Sequence, residues 1–135
     1  MWNGCNTIFA STLKQMAHVL LVDDDGDLAE TLKEVFELES HSCDCVETAE
    51  QALERLSKTA YDLVLLDWQL PDMDGLEVCR RYRAAGGKDR IVMLTGMRDA
   101  QSRQAGRQAG ADDFLTKPFT VDQLLERMAA YLGAT

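Results

Sequence analysis

Three aspartates stand together at Asp23, Asp24 and Asp25, directly after the apolar run 19–22, and a fourth, Asp67, directly follows the apolar run 63–66. Solvated acids normally lie on polar helix faces, not at the ends of buried strands. Carboxylates brought into one place repel, so either some keep a proton or a cation neutralises them. An all-oxygen ligand set favours a hard ion, Mg²⁺ first, because it takes a few carboxylates and keeps its waters. An EF-hand loop is excluded by spacing: with Gly26 as its sixth position the ends are Leu21 and Leu32, and with Gly75 they are Leu70 and Arg81. Thr95 and Lys117 each stand at the end of a further apolar stretch. A hydroxyl and an ammonium beside an acidic metal site suit a phosphoryl group, whose oxygens need donors and positive charge. Asp67 is then the natural nucleophile, since carboxylates form aspartyl-phosphate intermediates. The bond between Lys117 and Pro118 is a candidate cis peptide that aims the lysine.

The elements that must position these groups alternate. Strand-like stretches are β1 (18–22), β2 (41–46), β3 (63–66), β4 (91–94) and β5 (113–115). Helical periodicity marks α1 (27–39), α2 following Thr48, α3 (76–85), α4 within 99–109 and α5 (121–132). Asp27 is placed as the N-cap of α1, and Thr48 with Gln51 fits a capping box for α2. Gly86 and Gly87 fit a left-handed stop for α3. Regular β-α alternation with all-apolar strands predicts an α/β fold: a parallel sheet covered on both faces, a three-layer (βα)5 sandwich. Right-handed crossovers reduce the topologies chiefly to the flavodoxin-like order 2-1-3-4-5. In that order β1 and β3 are neighbours at the switch point, so Asp23, Asp24 and Asp67 converge on one pocket.

The chain has 135 residues and a formal charge of −9, from 23 acidic and 14 basic side chains. That length fits one domain, and 46% apolar residues suffice for a core. Residues 1–16 show no sustained period and are expected to be a flexible or short helical extension; residues 17–135 form the domain. The acidic balance argues against direct nucleic-acid binding by this chain, because such binders concentrate positive charge. No apolar run approaches a membrane span. Four cysteines without a CxxC pair are expected to be reduced thiols of a cytoplasmic protein.

Four segments carry a family likeness: the acidic pair in 22–24, the stretch LLDWQLPDMDG at 65–75, MLTG at 93–96, and AGADDFLTKPF at 109–119. Together they resemble the receiver domain of two-component response regulators, over about residues 17–132. The resemblance implies that Asp67 accepts phosphate from the phosphohistidine of a sensor histidine kinase or phosphotransfer protein. It implies that Asp24, Asp67 and the backbone carbonyl of Gln69 bind Mg²⁺ directly, with Asp23 acting mainly through water. Thr95 and Lys117 would hold the phosphoryl oxygens. Thr95 and an inward-turning aromatic, here Phe114, would then switch the α4-β5-α5 face. The implied role is a signalling switch, not an enzyme acting on an external substrate. Two alternatives stand beside it: a receiver fragment of a larger DNA-binding regulator or hybrid kinase, and a Mg²⁺-dependent aspartyl-nucleophile phosphatase. The last commonly needs an Asp two residues after the nucleophile, where this chain has Gln69.

The chain also departs from the family pattern. Phe114 stands where many relatives have tyrosine; without a hydroxyl to satisfy, its inward state costs less, and a weaker or pre-biased readout is expected. Gln104 and Arg107 replace residues that are commonly aliphatic in receivers of winged-helix regulators, and Asp122 replaces a basic one. A monomer or weak dimer is therefore expected in place of their symmetric α4-β5-α5 dimer. Gln69 and Met97 flank the pocket, and Met97 is expected to obstruct attacking water and slow phosphoryl loss. Trp68 is expected to be partly exposed. His41, Cys43 and Cys45 share one strand face, but three ligands on one strand do not surround a zinc ion, and packing is the preferred reading. Cys79 fits the buried side of α3. The basic group Arg80, Arg81, Arg83, Lys88 and Arg90 reads as a solvated helix end.

Overall fold

The structure, a computed structural model, describes residues 16–96 and 99–132. Most of the expected extension and Met97 lie outside the described residues. Five strands and five helices alternate: β1 (His18–Val22), α1 (Gly26–Leu38), β2 (Ser42–Val46), α2 (Ala49–Lys58), β3 (Leu63–Asp67), α3 (Gly75–Ala84), β4 (Ile91–Thr95), α4 (Ala100–Ala109), β5 (Asp113–Thr116) and α5 (Val121–Leu132). The strands form one sheet in the expected order 2-1-3-4-5, and every pairing is parallel. Among the described residues no helix is long and apolar enough to cross a membrane.

Strand side chains alternate between faces, and the core divides accordingly. Val19, Leu21, Leu63, Leu65, Val92 and Leu94 pack against Leu32 and Phe36 of α1 and Leu124 and Met128 of α5. Leu20, Val22, Val64, Leu66, Ile91 and Met93 pack against α2, α3 and α4 through Ala52, Leu56, Val78, Cys79 and Ala109. Around the central strands β1, β3 and β4 both faces of the sheet are thus dry, which is why these three read as continuous apolar runs instead of alternating ones.

The strands reach one residue further than the apolar runs suggest. Asp67 pairs in register with Leu94, and Thr95 with Thr116, so both functional side chains are the last residues of their strands. The alternation continues beyond β3. Trp68 follows Val64 and Leu66 onto the same face and is buried, at 6% exposure, correcting the expectation that it is partly exposed. Its backbone N–H donates to the Leu94 carbonyl at 2.9 Å, which holds the turn flat against β4.

The cap of α1 is also corrected. Asp25, not Asp27, holds the extended N-cap conformation, and its side chain accepts from the N–H groups of Asp27 and Leu28 at 3.1 and 3.2 Å. A carboxylate there answers two otherwise unpaired donors and the positive end of the helix dipole. The capping box at α2 forms as expected: Thr48 accepts from the Gln51 N–H and Gln51 accepts from the Thr48 N–H. A second, unforeseen cap reaches the same helix from the β3–α3 loop. Asp72 accepts from the N–H groups of Ala49 and Glu50 at 2.8 and 2.9 Å, and these bonds hold its carboxyl below the usual carboxylate range. Gly86 stops α3 with a φ of 94°, as the sequence suggests.

Gly75 begins α3 directly over the chain it must cross. A Cβ at this position would collide with the Asp67 carbonyl oxygen and crowd Trp68, and the Gly75 N–H already donates to the Trp68 carbonyl at 2.6 Å. Backbone cannot step aside as a flexible side chain does. Gly75→Ala is therefore expected to lower unfolding stability by about 1–3 kcal/mol, the usual cost of overpacking, measured by urea denaturation. A loss below roughly 0.5 kcal/mol, the scale of a neutral surface change, contradicts this account.

Candidate functional site

β1 and β3 lie side by side and end together, so the chain leaves both strands at one edge of the sheet. Asp23, Asp24 and Asp67 meet there, each offering a carboxylate oxygen within 4.8 Å of the others. It is the only such group of three or more potential metal ligands among the described residues. Asp24 is exposed, Asp67 is largely buried and Asp23 is only 1% exposed.

Asp23 is fixed from three sides. Its N–H donates to the Val46 carbonyl at 3.1 Å, one carboxylate oxygen accepts from the Asp25 N–H at 2.9 Å, and the other accepts from Lys117 Nζ at 2.8 Å. The same ammonium lies 3.5 Å from Asp67. Lys117 is itself placed by its backbone, whose N–H donates to the Thr95 carbonyl at 2.8 Å, and its bond to Pro118 is cis, which the proline allows. Thr95 is buried beside Asp67, and both line a cavity of about 520 Å³ with Asp24, Gln69 and Lys117. The Gln69 N–H points back at the Asp67 carboxylate at 3.4 Å. All six expected pocket residues are thus brought to one place. A larger groove of about 750 Å³ lies between the C-terminal ends of α2 and α3, away from the carboxylates.

The electrostatics follow from crowding. Burial, then the charge of Asp23, push the Asp67 carboxyl above its usual range, against the pull of Lys117. Burial alone would lower Lys117, but its bond to Asp23 and the charges of both aspartates outweigh that and hold it protonated above its ordinary value. One ammonium does not neutralise three carboxylates. The oxygen donors and their excess negative charge fit a hard divalent cation such as Mg²⁺.

Phe114 is fully buried on β5, and its ring fills the space left by the missing side chain of Gly106, where a Cβ would collide with it. The guanidinium groups of Arg103 and Arg107 lie 5.3 and 5.5 Å from the ring centre. Arg103 also donates to the Thr116 hydroxyl at 3.2 Å. These two arginines were not assigned to Phe114 from sequence, although their i, i+4 spacing already puts them on one helix face. Gln104 and Asp122 are exposed. Of the basic group, Arg80 and Arg81 pair with Glu77, Arg83 pairs with Asp112, and Arg90 lies over the Tyr131 ring. Cys79 is buried in the core as expected.

Comparison with known proteins shows the family. The family model described as response regulator receiver domain matches residues 19–129. The response regulator MprA of Mycolicibacterium vanbaalenii is 39% identical over 117 residues, covering 87% of this chain and 51% of the relative. The chain therefore spans about half the length of that relative. A two-component response regulator from Clostridium difficile superposes with a TM-score of 0.83 at 30% identity, over 87% of this chain and 97% of the other. The receiver domain of a Pseudomonas aeruginosa sensor histidine kinase, solved with a magnesium ion coordinated in its active-site cleft, gives 0.77 at 26% identity, over 87% of this chain and 98% of the other. On this match the chain belongs to the response regulator receiver domains, phosphorylation-dependent switches of two-component systems.

Proposed function

We propose that Asp67 accepts a phosphoryl group from the phosphohistidine of a sensor histidine kinase or phosphotransfer protein. The observation that carries this reading is the Asp67 carboxylate at the open strand end, 3.5 Å from Lys117 and within 4.8 Å of two further carboxylates. An Asp67 oxygen attacks phosphorus, the phosphorus–nitrogen bond breaks, and its electron pair returns to the donor imidazole. Lys117 and Thr95 take the phosphoryl oxygens as positive charge and hydroxyl donor. Asp23, Asp24, Asp67 and the Gln69 carbonyl would hold Mg²⁺, which supplies the remaining neutralisation of charge. Asp23 has a second task, keeping Lys117 aimed at the acceptor before any phosphate arrives.

The modification adds roughly −1.5 to −2 of charge. Its new oxygens favour whichever arrangement of Thr95, Phe114 and α4 binds them better, which is a shift between populations. Phe114 already lies inward, clamped under two guanidiniums, and this supports a pre-biased switch with a smaller response to phosphorylation than a tyrosine would give. The polar surface at Gln104, Arg107 and Asp122 supports a monomer or weak dimer. The domain is not an enzyme for an external substrate in this reading. The greater length of MprA favours a second possibility for the whole protein, that the domain is the input part of a longer regulator.

Two outcomes test the site. With Mg²⁺ and acetyl phosphate, the wild-type chain gains one phosphoryl group by intact mass and Asp67→Ala gains none; equal labelling of the variant defeats the reading. The second concerns stability without metal. A folded carboxyl held above its unfolded range stabilises only while protonated, and that contribution is lost as pH rises through the folded value. Asp67→Asn should therefore raise the melting temperature near neutral pH, and the gain should fade as pH falls below about 4, where the carboxyl becomes protonated in the unfolded chain as well. A lower melting temperature at neutral pH contradicts the crowding account.

A further inference from the structure

Cys43 and Cys45 lie on the same face of β2, an edge strand of the sheet, with their sulfurs 3.9 Å apart. Cys43 is buried under α1, whereas Cys45 is half-buried and its sulfur reaches the Ala29 carbonyl at 3.9 Å. No phosphoryl chemistry uses either thiol.

Two chemistries are open to such a pair, and geometry separates them. A strand rise of about 3.3 Å per residue sets their Cα atoms roughly 6.6 Å apart, at the far limit of the ~4.4–6.8 Å that a disulfide accepts. Closing a disulfide would buckle a strand hydrogen-bonded to β1 along its length. Two sulfurs bonded to one pyramidal, three-coordinate centre at about 2.3 Å each, with an angle near 100°, stand roughly 3.5 Å apart. From the observed 3.9 Å the sulfurs close by only a few tenths of an ångström to reach it, against roughly 2 Å for a disulfide.

Among the described residues no third protein ligand joins the two sulfurs. His41 stands directly before β2, and its Nδ1 accepts the Ala17 N–H at 2.9 Å. The only group of three metal-ligating side chains among the described residues is the aspartate trio. A four-coordinate zinc site is therefore not built here, in agreement with the sequence.

We propose that Cys43 and Cys45 form a two-sulfur site for a trivalent, three-coordinate thiophile that already carries one substituent, the class represented by monosubstituted arsenic(III) compounds. With phenylarsine oxide, two arsenic–sulfur bonds form and the arsenic–oxygen bond breaks. The two thiol protons leave with that oxygen as water, and no electrons are transferred. The site adjoins the acidic pocket. Cys45 precedes Val46, whose carbonyl holds the Asp23 N–H, and the Cys45 sulfur touches the first turn of α1.

The test is titration of the full chain with phenylarsine oxide, read by native mass spectrometry without any phosphodonor. Its failure would therefore leave the phosphoryl-acceptor reading untouched. One phenylarsenic group per chain is expected, removed by excess ethanedithiol. Loss of one of two sulfurs forfeits the advantage of a tethered second ligand, so Cys45→Ala should weaken binding by about 100-fold or more. Cys43→Ala should do the same, and Cys5→Ser and Cys79→Ser should bind as wild type does. Cys45 is half-buried, so its variant decides the matter if Cys43→Ala unfolds. Undiminished uptake by Cys45→Ala, or no uptake by the wild-type chain at micromolar reagent, overturns the proposal.

Discussion

A carboxylate with 1% of its surface exposed must be answered by a proton or a positive charge, and at Asp23 that answer is Lys117, 2.8 Å away. The two residues are far apart in the chain and meet only because β1 and β5 both end at the same edge of the sheet. Leaving Asp23 buried without its partner would impose the full cost of an uncompensated charge. Much of the local architecture serves this contact: the Val46 carbonyl and the Asp25 N–H hold Asp23, and the Thr95 carbonyl holds the backbone of Lys117. The lysine then reaches Asp67 as a second, longer contact. The acceptor thus sits in a field set up by a neighbour that is itself fixed.

The fold was legible because its signals are strong and redundant. Continuous apolar strands admit only a sheet covered on both faces, and the handedness of crossovers then leaves little choice of strand order. From that order the convergence of Asp23, Asp24, Asp67, Thr95 and Lys117 follows without any side-chain detail. Other features escaped because they depend on atoms, not patterns. Asp25 and Asp27 are equally good capping residues by type, and only the extended backbone at Asp25 distinguishes them. Asp72 caps a helix 23 residues away, a tertiary contact with no local signature. Trp68 was different: counting by two from Val64 and Leu66 puts it on the buried face, and the signal was there to be read.

The aromatic on β5 shows how a small residue and a large one specify each other. Gly106 leaves α4 with a gap, and Phe114 fills it. Arg103 and Arg107 cover the ring with charge that stays wet on its outer side, a contact worth about 0.5–1 kcal/mol per guanidinium at exposed sites. A phenolic oxygen in the same place would need a hydrogen-bond partner as well. Phenylalanine removes that requirement.

Asp72 ties the loop after Asp67 to the start of α2 by holding two backbone N–H groups. Every residue except proline supplies such a group, so the tie is blind to side-chain identity at Ala49 and Glu50. The exposed face of α2 can therefore drift in sequence, and acquire or shed recognition features, while the acceptor loop keeps its footing. Only proline at positions 49 or 50 would unpick it.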